Sequence, residues 1–195
     1  MNDKKLRRVL VASLVGSTIE WFDYFLYGTV AALVFNQLFF VTEDPAFGTL
    51  YAFAAFALAF LIRPFGGIIF SHIGDRIGRK RTLVLTLSLM GLATFLMGVL
   101  PIYQAIGIWA PVLLILLRLI QGLGLGGEWG GALLLAVEYA PKEKRGLFGS
   151  IPQMGVTLGM LMGTLALSVM TLLPDDAFLS WGWLVPFILS AFFVV

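Results

Sequence analysis

Five acidic or basic residues lie deep within long apolar stretches of this sequence: Glu20, Asp23, Arg63, Arg118 and Glu128. If those stretches cross a bilayer, each charge costs about 3 kcal/mol unless it faces a polar cavity or pairs with another charge. Residues of this kind mark ion and substrate pathways in membrane proteins. We therefore predict that these five residues form the functional centre of the chain.

The acidic residues among them are candidate proton carriers. Glu20 and Asp23 are three residues apart, which places both carboxyl groups on one face of a helix. At a rise of ~1.5 Å per residue they lie about 16 to 21 Å from Val9, near the middle of a bilayer. Such a pair could carry a proton, and Glu128 is a second candidate. The alternative is that Arg63 or Arg118 simply neutralises each carboxylate as a link between helices, and a structural role is also open for Glu128.

The basic residues suggest how an anionic group could be held. Arg118 and Gln121 are three residues apart, and a guanidinium is a planar fork suited to a carboxylate from a substrate or from the first helix. A permanent salt bridge is the alternative. Arg63 precedes Pro64 and is too deep in its span for its side chain to reach the interface easily, so we expect it to pair with Asp23.

Aromatic and small residues accompany these charges. Tyr24 and Trp129 adjoin the acidic residues and are candidate substrate contacts, although aromatic side chains here could equally pack against lipid and neighbouring helices. The glycine-rich run GLGLGGEWGG at 122–131 lacks the preceding strand that a nucleotide-binding loop requires. Its glycines predict close helix packing at Gly122 and Gly126, as do those at Gly155 and Gly159.

The composition indicates what kind of protein must position these residues. Hydrophobic residues make up 59% of the 195, charged residues only 12%, and the mean hydropathy is +0.96. A soluble domain would have about twice that charged fraction. Apolar runs of about 20 residues, the length that a bilayer core demands, predict an all-α polytopic membrane protein. There is no cysteine, so thiolate metal sites and disulfides are excluded, and we expect no metal and no cofactor.

Six membrane spans follow from the apolar runs, at about 9–36, 48–72, 82–101, 110–139, 147–173 and 181–195. The sixth has only about 15 residues before the chain stops, too few to cross, so we expect a fragment or a chain cut within a helix. Basic residues cluster before span 1 and in alternate loops, which predicts a cytoplasmic amino terminus. These are Lys4, Lys5, Arg7 and Arg8, then Arg76, Arg79, Lys80 and Arg81, then Lys142, Lys144 and Arg145. This clustering explains the net charge of +2 better than nucleic-acid binding does, and we expect no nucleic-acid partner.

Several motifs resemble those of a known transporter group. The loop GDRIGRKR at 74–81 and the run RLIQG at 118–122 are similar to two signatures of the major facilitator superfamily. More specifically, EWFD at 20–23, RPFGG at 63–67, GGEWGG at 126–131 and EYAP at 138–141 ahead of Arg145-Gly146 resemble the metabolite:proton symporter family. The resemblance covers nearly the whole chain.

The resemblance implies twelve helices in two six-helix halves, of which this chain would be the amino-terminal half with an incomplete sixth helix and the carboxy-terminal half would be absent. It implies alternating-access transport of a small organic acid or zwitterion with a proton, in a bacterial inner membrane. It also implies a cytoplasmic charge cluster that stabilises one state, formed by Asp75, Arg76, Arg79, Glu138 and Arg145.

The functional prediction is therefore a secondary active transporter, most simply a proton symporter, whose partners are a small-molecule substrate, the lipid bilayer and the carboxy-terminal half. A proton-driven efflux antiporter is the nearest alternative. A membrane scaffold or an inactive fragment is another. An enzyme is not expected, because the sequence contains no arrangement of nucleophile, base and oxyanion donors and no metal-ligand cluster.

Overall fold

A computed structural model describes residues 3–138, 140–141 and 144–194. Six long helices run through this part of the chain. We number them α1 to α6: Asp3–Val30, Pro45–Ile77, Arg79–Gly98, Trp109–Glu138, Arg145–Met170 and Leu184–Val194. A wide π-type turn at Ala31–Phe35 continues α1, another at Phe178–Gly182 precedes α6, and single turns lie at 36–38, 103–106 and 175–177. All regular elements in the described residues are helical, which confirms the predicted all-α class.

Local sequence explains where α2 begins and ends. Asp44 caps its start by accepting a hydrogen bond from the Ala46 N–H at 2.9 Å, and Pro45 occupies the first turn, where its missing N–H costs nothing. At the other end Gly78, with φ of +93°, is the one residue between α2 and α3. Only glycine adopts this backbone conformation readily, so Gly78 allows a direct reversal from one helix to the next.

Glycines set the closest helix contacts. Gly122 and Gly126 of α4 lie directly against the α2 backbone at Ala59 and Arg63, where a methyl group would collide with a carbonyl oxygen. Gly155 and Gly159 of α5 also lie close against α1, where a methyl group would collide with the Ser17 side chain and with the Phe22 backbone. Helix α3 packs against α4 and, less extensively, against α6. Each helix of the first three thus packs against one of the second three.

The outer surface is apolar. Large hydrophobic side chains such as Leu61, Ile68, Leu165 and Leu172 are exposed on the bundle surface. By length and composition, three helices in the described residues can cross a membrane, at Pro45–Ile77, Trp109–Gly127 and Arg145–Met170, and Val84–Gly98 is a shorter apolar helix. Apolar surface outside and charged groups inside are what a bilayer requires of a helical protein. The protein is therefore a polytopic α-helical membrane protein.

A buried aromatic cluster closes the end of the bundle where α1 finishes. Phe35 and Phe39, in the turns that follow α1, contact the ring of Trp183 edge-on at 5.7 and 5.9 Å between centroids. Phe187 of α6 joins the same cluster. These contacts fix α6 against α1 and α3, and so they determine where Ser190 meets the polar residues described below.

Candidate substrate and proton site

Glu20 pairs with Arg63. The Nη2 atom of Arg63 on α2 donates a hydrogen bond to Oε1 of Glu20 on α1 at 2.9 Å, and the carboxylate is 2% exposed while the arginine is 21% exposed. The Arg63 guanidinium also lies 5.7 Å from the Trp21 ring centroid and 5.4 Å from that of Phe60, within cation–π range. The predicted pairing of Arg63 with Asp23 is therefore wrong.

Asp23 lies one helical turn further along α1 and faces different helices. Its Oδ2 atom accepts a hydrogen bond from Oγ1 of Thr94 on α3 at 2.9 Å, and its Oδ1 atom accepts one from the Ser190 hydroxyl on α6. The carboxyl group is 1% exposed. Glu20 and Asp23 share a helix face, as their spacing predicts. The surrounding packing nevertheless places a cation beside Glu20 and two neutral hydroxyl groups beside Asp23.

Arg118 is connected to Asp23 through two intermediate side chains. Its Nη1 atom donates to Oε1 of Gln121, and Nε2 of Gln121 donates to Oγ1 of Thr94 at 2.8 Å. Thr94 in turn reaches Asp23. The four side chains form one hydrogen-bonded row from α4 through α3 to α1, which we call the buried relay: Arg118, Gln121, Thr94 and Asp23. In the part of the chain that the structure describes, Arg118 and Asp23 make no direct ion pair.

Aromatic rings enclose the Arg118 guanidinium. Its central carbon lies 3.9 Å from the ring centroid of Tyr27, 5.0 Å from that of Phe56 and 5.6 Å from that of Tyr24. Ring faces attract a cation, and they leave its in-plane N–H groups free to bind an acceptor. Tyr24, predicted as a substrate contact, is thus part of this cage. Phe56 was not singled out by the sequence.

Three polar groups in this region have no partner among the described residues. The Nε and Nη2 atoms of Arg118 and the hydroxyl oxygen of Tyr27 are buried without a hydrogen bond. A buried charged donor left without a partner costs more than about 1–3 kcal/mol, so these unpaired nitrogens favour the binding of a hydrogen-bond acceptor. A carboxylate has the right charge and the right spacing of oxygens.

The structure also tests which predicted residues come together. It assembles Glu20, Asp23, Arg118, Gln121 and Tyr24 in one buried region and places Arg63 beside it. The side chains of Glu128 and Trp129 lie outside the part that the structure describes, and so do those of Arg79 and Glu138. Asp75 and Arg76, near the end of α2, and Arg145, at the start of α5, are exposed.

Thr94 and Ser190 are the residues that sequence reasoning missed. Ser190 is the one hydroxyl residue of α6 and Thr94 is one of four in α3, and such residues commonly bond to the carbonyl of the preceding turn without any further role. The signal that would have identified them is the need of a buried aspartate for donors. Their positions on α3 and α6 could not be matched to Asp23 before the helices were packed.

The fold and the buried network together define a class: a polytopic helical bundle that holds charged groups and a polar relay inside a membrane, the arrangement of a membrane transporter. The comparisons agree. The chain matches the family described as sugar (and other) transporter over residues 9–195, and it belongs to that family, within the major facilitator superfamily. Because these proteins are transporters, the prediction that the chain is not an enzyme is confirmed.

Curated relatives show which members of this transporter family the chain resembles. The chain is 51% identical over 192 residues to the shikimate transporter of Escherichia coli, covering 98% of this chain and 44% of the relative. It is 54% identical over 190 residues to the inner membrane metabolite transport protein YhjE of the same organism, covering 96% and 43%. It is 40% identical over 191 residues to the proline/betaine transporter of Salmonella typhimurium, covering 97% and 38%. The chain thus spans less than half the length of these relatives.

Solved structures show the same fold. The proton:xylose symporter XylE bound to 6-bromo-6-deoxy-D-glucose superimposes with a TM-score of 0.85 at 16% identity, over 100% of this chain and 43% of that one. The inward open conformation of XylE from Escherichia coli gives a TM-score of 0.77 at 20% identity, over 96% and 45%. The predicted six-helix bundle of the major-facilitator type is therefore confirmed.

Proposed function

We propose that this chain is the amino-terminal half of a secondary active transporter that takes up a small organic acid or zwitterion together with a proton. The observation that carries this proposal is Arg118: a fully buried guanidinium, enclosed by aromatic rings, with two N–H groups free. A substrate carboxylate would satisfy those donors. The buried relay would then connect the bound anion to Asp23.

The relatives support the substrate class. Shikimate is a carboxylate, and proline and betaine are zwitterions with a carboxylate, so one chemical group recurs in the names of relatives that are 51% and 40% identical to this chain. A planar guanidinium is the side chain best suited to bind that group. Gln121 and Tyr24 adjoin Arg118 and would shape the site around the same anion. Trp129 stays a predicted contact.

We propose a proton as the coupling ion, with no other cofactor. Asp23 is the preferred carrier, since its two partners are neutral hydroxyl groups that can accept as well as donate. Glu20 is held by Arg63, and that pair would have to open before Glu20 could exchange a proton. Glu128 stays a further candidate.

The same proposal includes the orientation of the bundle in the membrane and its carboxy-terminal partner. The bundle would lie in a bacterial inner membrane with its amino terminus in the cytoplasm, as the distribution of Lys and Arg indicates. A carboxy-terminal half would complete the substrate cavity, and the two halves would rock about it to give alternating access. The exposed charges Asp75, Arg76 and Arg145, with Arg79 and Glu138, would form the cytoplasmic gate.

Transport assays in vesicles test this proposal. The polypeptide that joins this chain to its carboxy-terminal half is reconstituted, and a candidate carboxylate is added while the external pH is recorded. Symport predicts uptake together with alkalinisation of the medium. Uptake without alkalinisation would contradict proton coupling, and export driven by an inward proton gradient would identify an antiporter instead.

A further inference from the structure

Thr94 occupies an unusual place in the buried relay because three polar atoms surround its single hydroxyl group. Its Oγ1 atom lies 2.9 Å from Oδ2 of Asp23, 2.8 Å from Nε2 of Gln121 and 3.0 Å from the carbonyl oxygen of Met90 on the preceding turn of α3. A hydroxyl group has one hydrogen to donate and two lone pairs that accept. It can therefore donate to Asp23 or to Met90, but not to both at once.

When Asp23 is ionised, its carboxylate can only accept hydrogen bonds. Thr94 then donates its hydrogen to Asp23 and accepts from the Gln121 amide. Ser190 donates to the other carboxylate oxygen. The carbonyl of Met90 needs no second partner, because carbonyl groups within a helix already accept a backbone N–H. Every group in this arrangement is satisfied.

When Asp23 is protonated, one of its oxygens carries a hydrogen that needs an acceptor. If the Thr94 hydrogen rotates to the Met90 carbonyl, the two Thr94 lone pairs accept from Asp23 and from Gln121 together. This arrangement also leaves no polar group unpaired. Both protonation states are thus accommodated by rotation of one hydroxyl group, with no movement of the backbone.

We propose that Thr94 is a positioning residue whose hydroxyl group switches between Asp23 and the Met90 carbonyl, so that Asp23 can take up and release a proton within a buried network. The inference rests on the proposed role of Asp23 as a proton carrier. It assigns to Thr94 a role that no helix-packing function requires: the hydroxyl group satisfies the carboxyl group in both states of the transport cycle.

The other charged and titratable groups around Asp23 come from three helices. Glu20, Tyr24 and Tyr27 lie on α1 with it, Arg63 faces α1 from α2, and Arg118 faces it from α4. Residues 82–98, 146–170 and 184–194, which make up most of α3, α5 and α6, contain no ionisable side chain. The partners of Asp23 on α3 and α6 are therefore neutral hydroxyl groups, so the local response to its protonation is rotation of a hydroxyl group and not movement of a charged side chain.

Three substitutions in the full transporter separate this role from simple packing. Thr94→Val removes the hydroxyl group at nearly constant volume, Thr94→Ser keeps it and removes only a methyl group, and Thr82→Val makes the same chemical change three turns away. Thr82 is a suitable control because it lies on the same helix and its hydroxyl bonds to the Gly78 carbonyl at 3.2 Å. Net uptake driven by a proton gradient is compared with exchange of labelled and unlabelled substrate at equal pH.

In Thr94→Val the ionised carboxylate loses a donor, and because hydrogen bonds to charged groups are the stronger ones, the variant disfavours release of the proton. Net uptake requires that release in every cycle, whereas exchange can proceed with the proton bound. We expect net uptake to fall by about tenfold or more while exchange changes by less than about threefold. Thr94→Ser and Thr82→Val should retain both activities. Equal loss of uptake and exchange in Thr94→Val, or loss in Thr94→Ser, would overturn the proposal.

Infrared difference spectra between acid and neutral pH separate this inference from the function on which it rests. The carboxyl band of Asp23 is identified by its loss in Asp23→Asn. If no such band changes with pH, Asp23 does not carry the proton and the proposed function fails at this residue. If the band is present but is the same in Thr94→Val as in the unsubstituted protein, Asp23 titrates without Thr94 and only the switch is refuted.

Discussion

Arg118 and Asp23 carry opposite charges in one buried region, yet Gln121 and Thr94 stand between them. Each donor in the row points toward Asp23: Arg118 to Gln121, Gln121 to Thr94 at 2.8 Å, and Thr94 to Asp23 at 2.9 Å. Hydrogen bonds aligned in this way polarise one another, so a change at either end is transmitted along the row. The arrangement keeps two Arg118 N–H groups free for a ligand, which a direct salt bridge would use.

Arg118→Lys tests whether the guanidinium fork, rather than positive charge alone, holds the substrate. A lysine keeps the charge but cannot offer two parallel N–H groups or stack its head flat on Tyr27. We expect apparent substrate affinity to fall by about tenfold or more, since a charge-assisted hydrogen bond is lost. Equilibrium binding to the purified transporter measures this. A lysine variant that folds and binds as tightly as the original protein would contradict the assignment.

Asp75→Asn separates the proposed gate from the site. Asp75 is exposed near the end of α2, whereas the relay residues are buried, so its loss should disturb the balance between transport states and not the binding site itself. We expect slower transport with substrate binding retained in at least one state, whereas Arg118→Ala should abolish binding. Binding and uptake are measured on both variants. Equal loss of binding in the two would argue against a division between gate and site.

Removal of either partner of the Glu20 and Arg63 pair alone should destabilise the protein, because the other charge would then be left without its counter-charge. Arg63→Met leaves a carboxylate that is 2% exposed without its cation, and breaking a buried pair costs about 3–5 kcal/mol. We expect the thermal unfolding temperature of Arg63→Met to fall clearly. The double variant Glu20→Met with Arg63→Met should recover much of the loss. A double variant less stable than both single variants would contradict this account.

Gly126→Ala tests the close approach of α4 to α2. A methyl group at Gly126 would collide with the Arg63 carbonyl, while one at Gly146 of α5 meets nothing within 4 Å. Overpacking of this kind costs about 1–3 kcal/mol, so Gly126→Ala should unfold at a lower denaturant concentration. Gly146→Ala is the matched control and should be neutral or slightly stabilising, because alanine has a higher helix propensity than glycine. Equal stability of the two variants would show that the helices can separate at no cost.

Much of the fold could be predicted from the sequence. The apolar runs determined the helical class, because the length of a span is fixed by the thickness of a bilayer and not by details of packing. Helix α2 at Pro45–Ile77 contains the predicted span 48–72, and α5 at Arg145–Met170 overlaps the span predicted at 147–173. The positions of the intramembrane charges were also readable, since such charges are rare and costly.

Only the tertiary structure decided how those charges pair. The spacing of Glu20 and Asp23 places both on one face of α1, but spacing carries no information on which neighbouring helix each side chain meets. Because α2 packs beside α1, Arg63 bonds to Glu20. Because α3 and α6 pack on the other carboxyl group, Thr94 and Ser190 bond to Asp23. Hydroxyl groups in apolar helices leave no distinctive pattern in a sequence, because each also satisfies itself on its own backbone. The sequence determined where the charges lie; the contacts between helices, set by glycines and aromatic rings far apart in the chain, decided their partners.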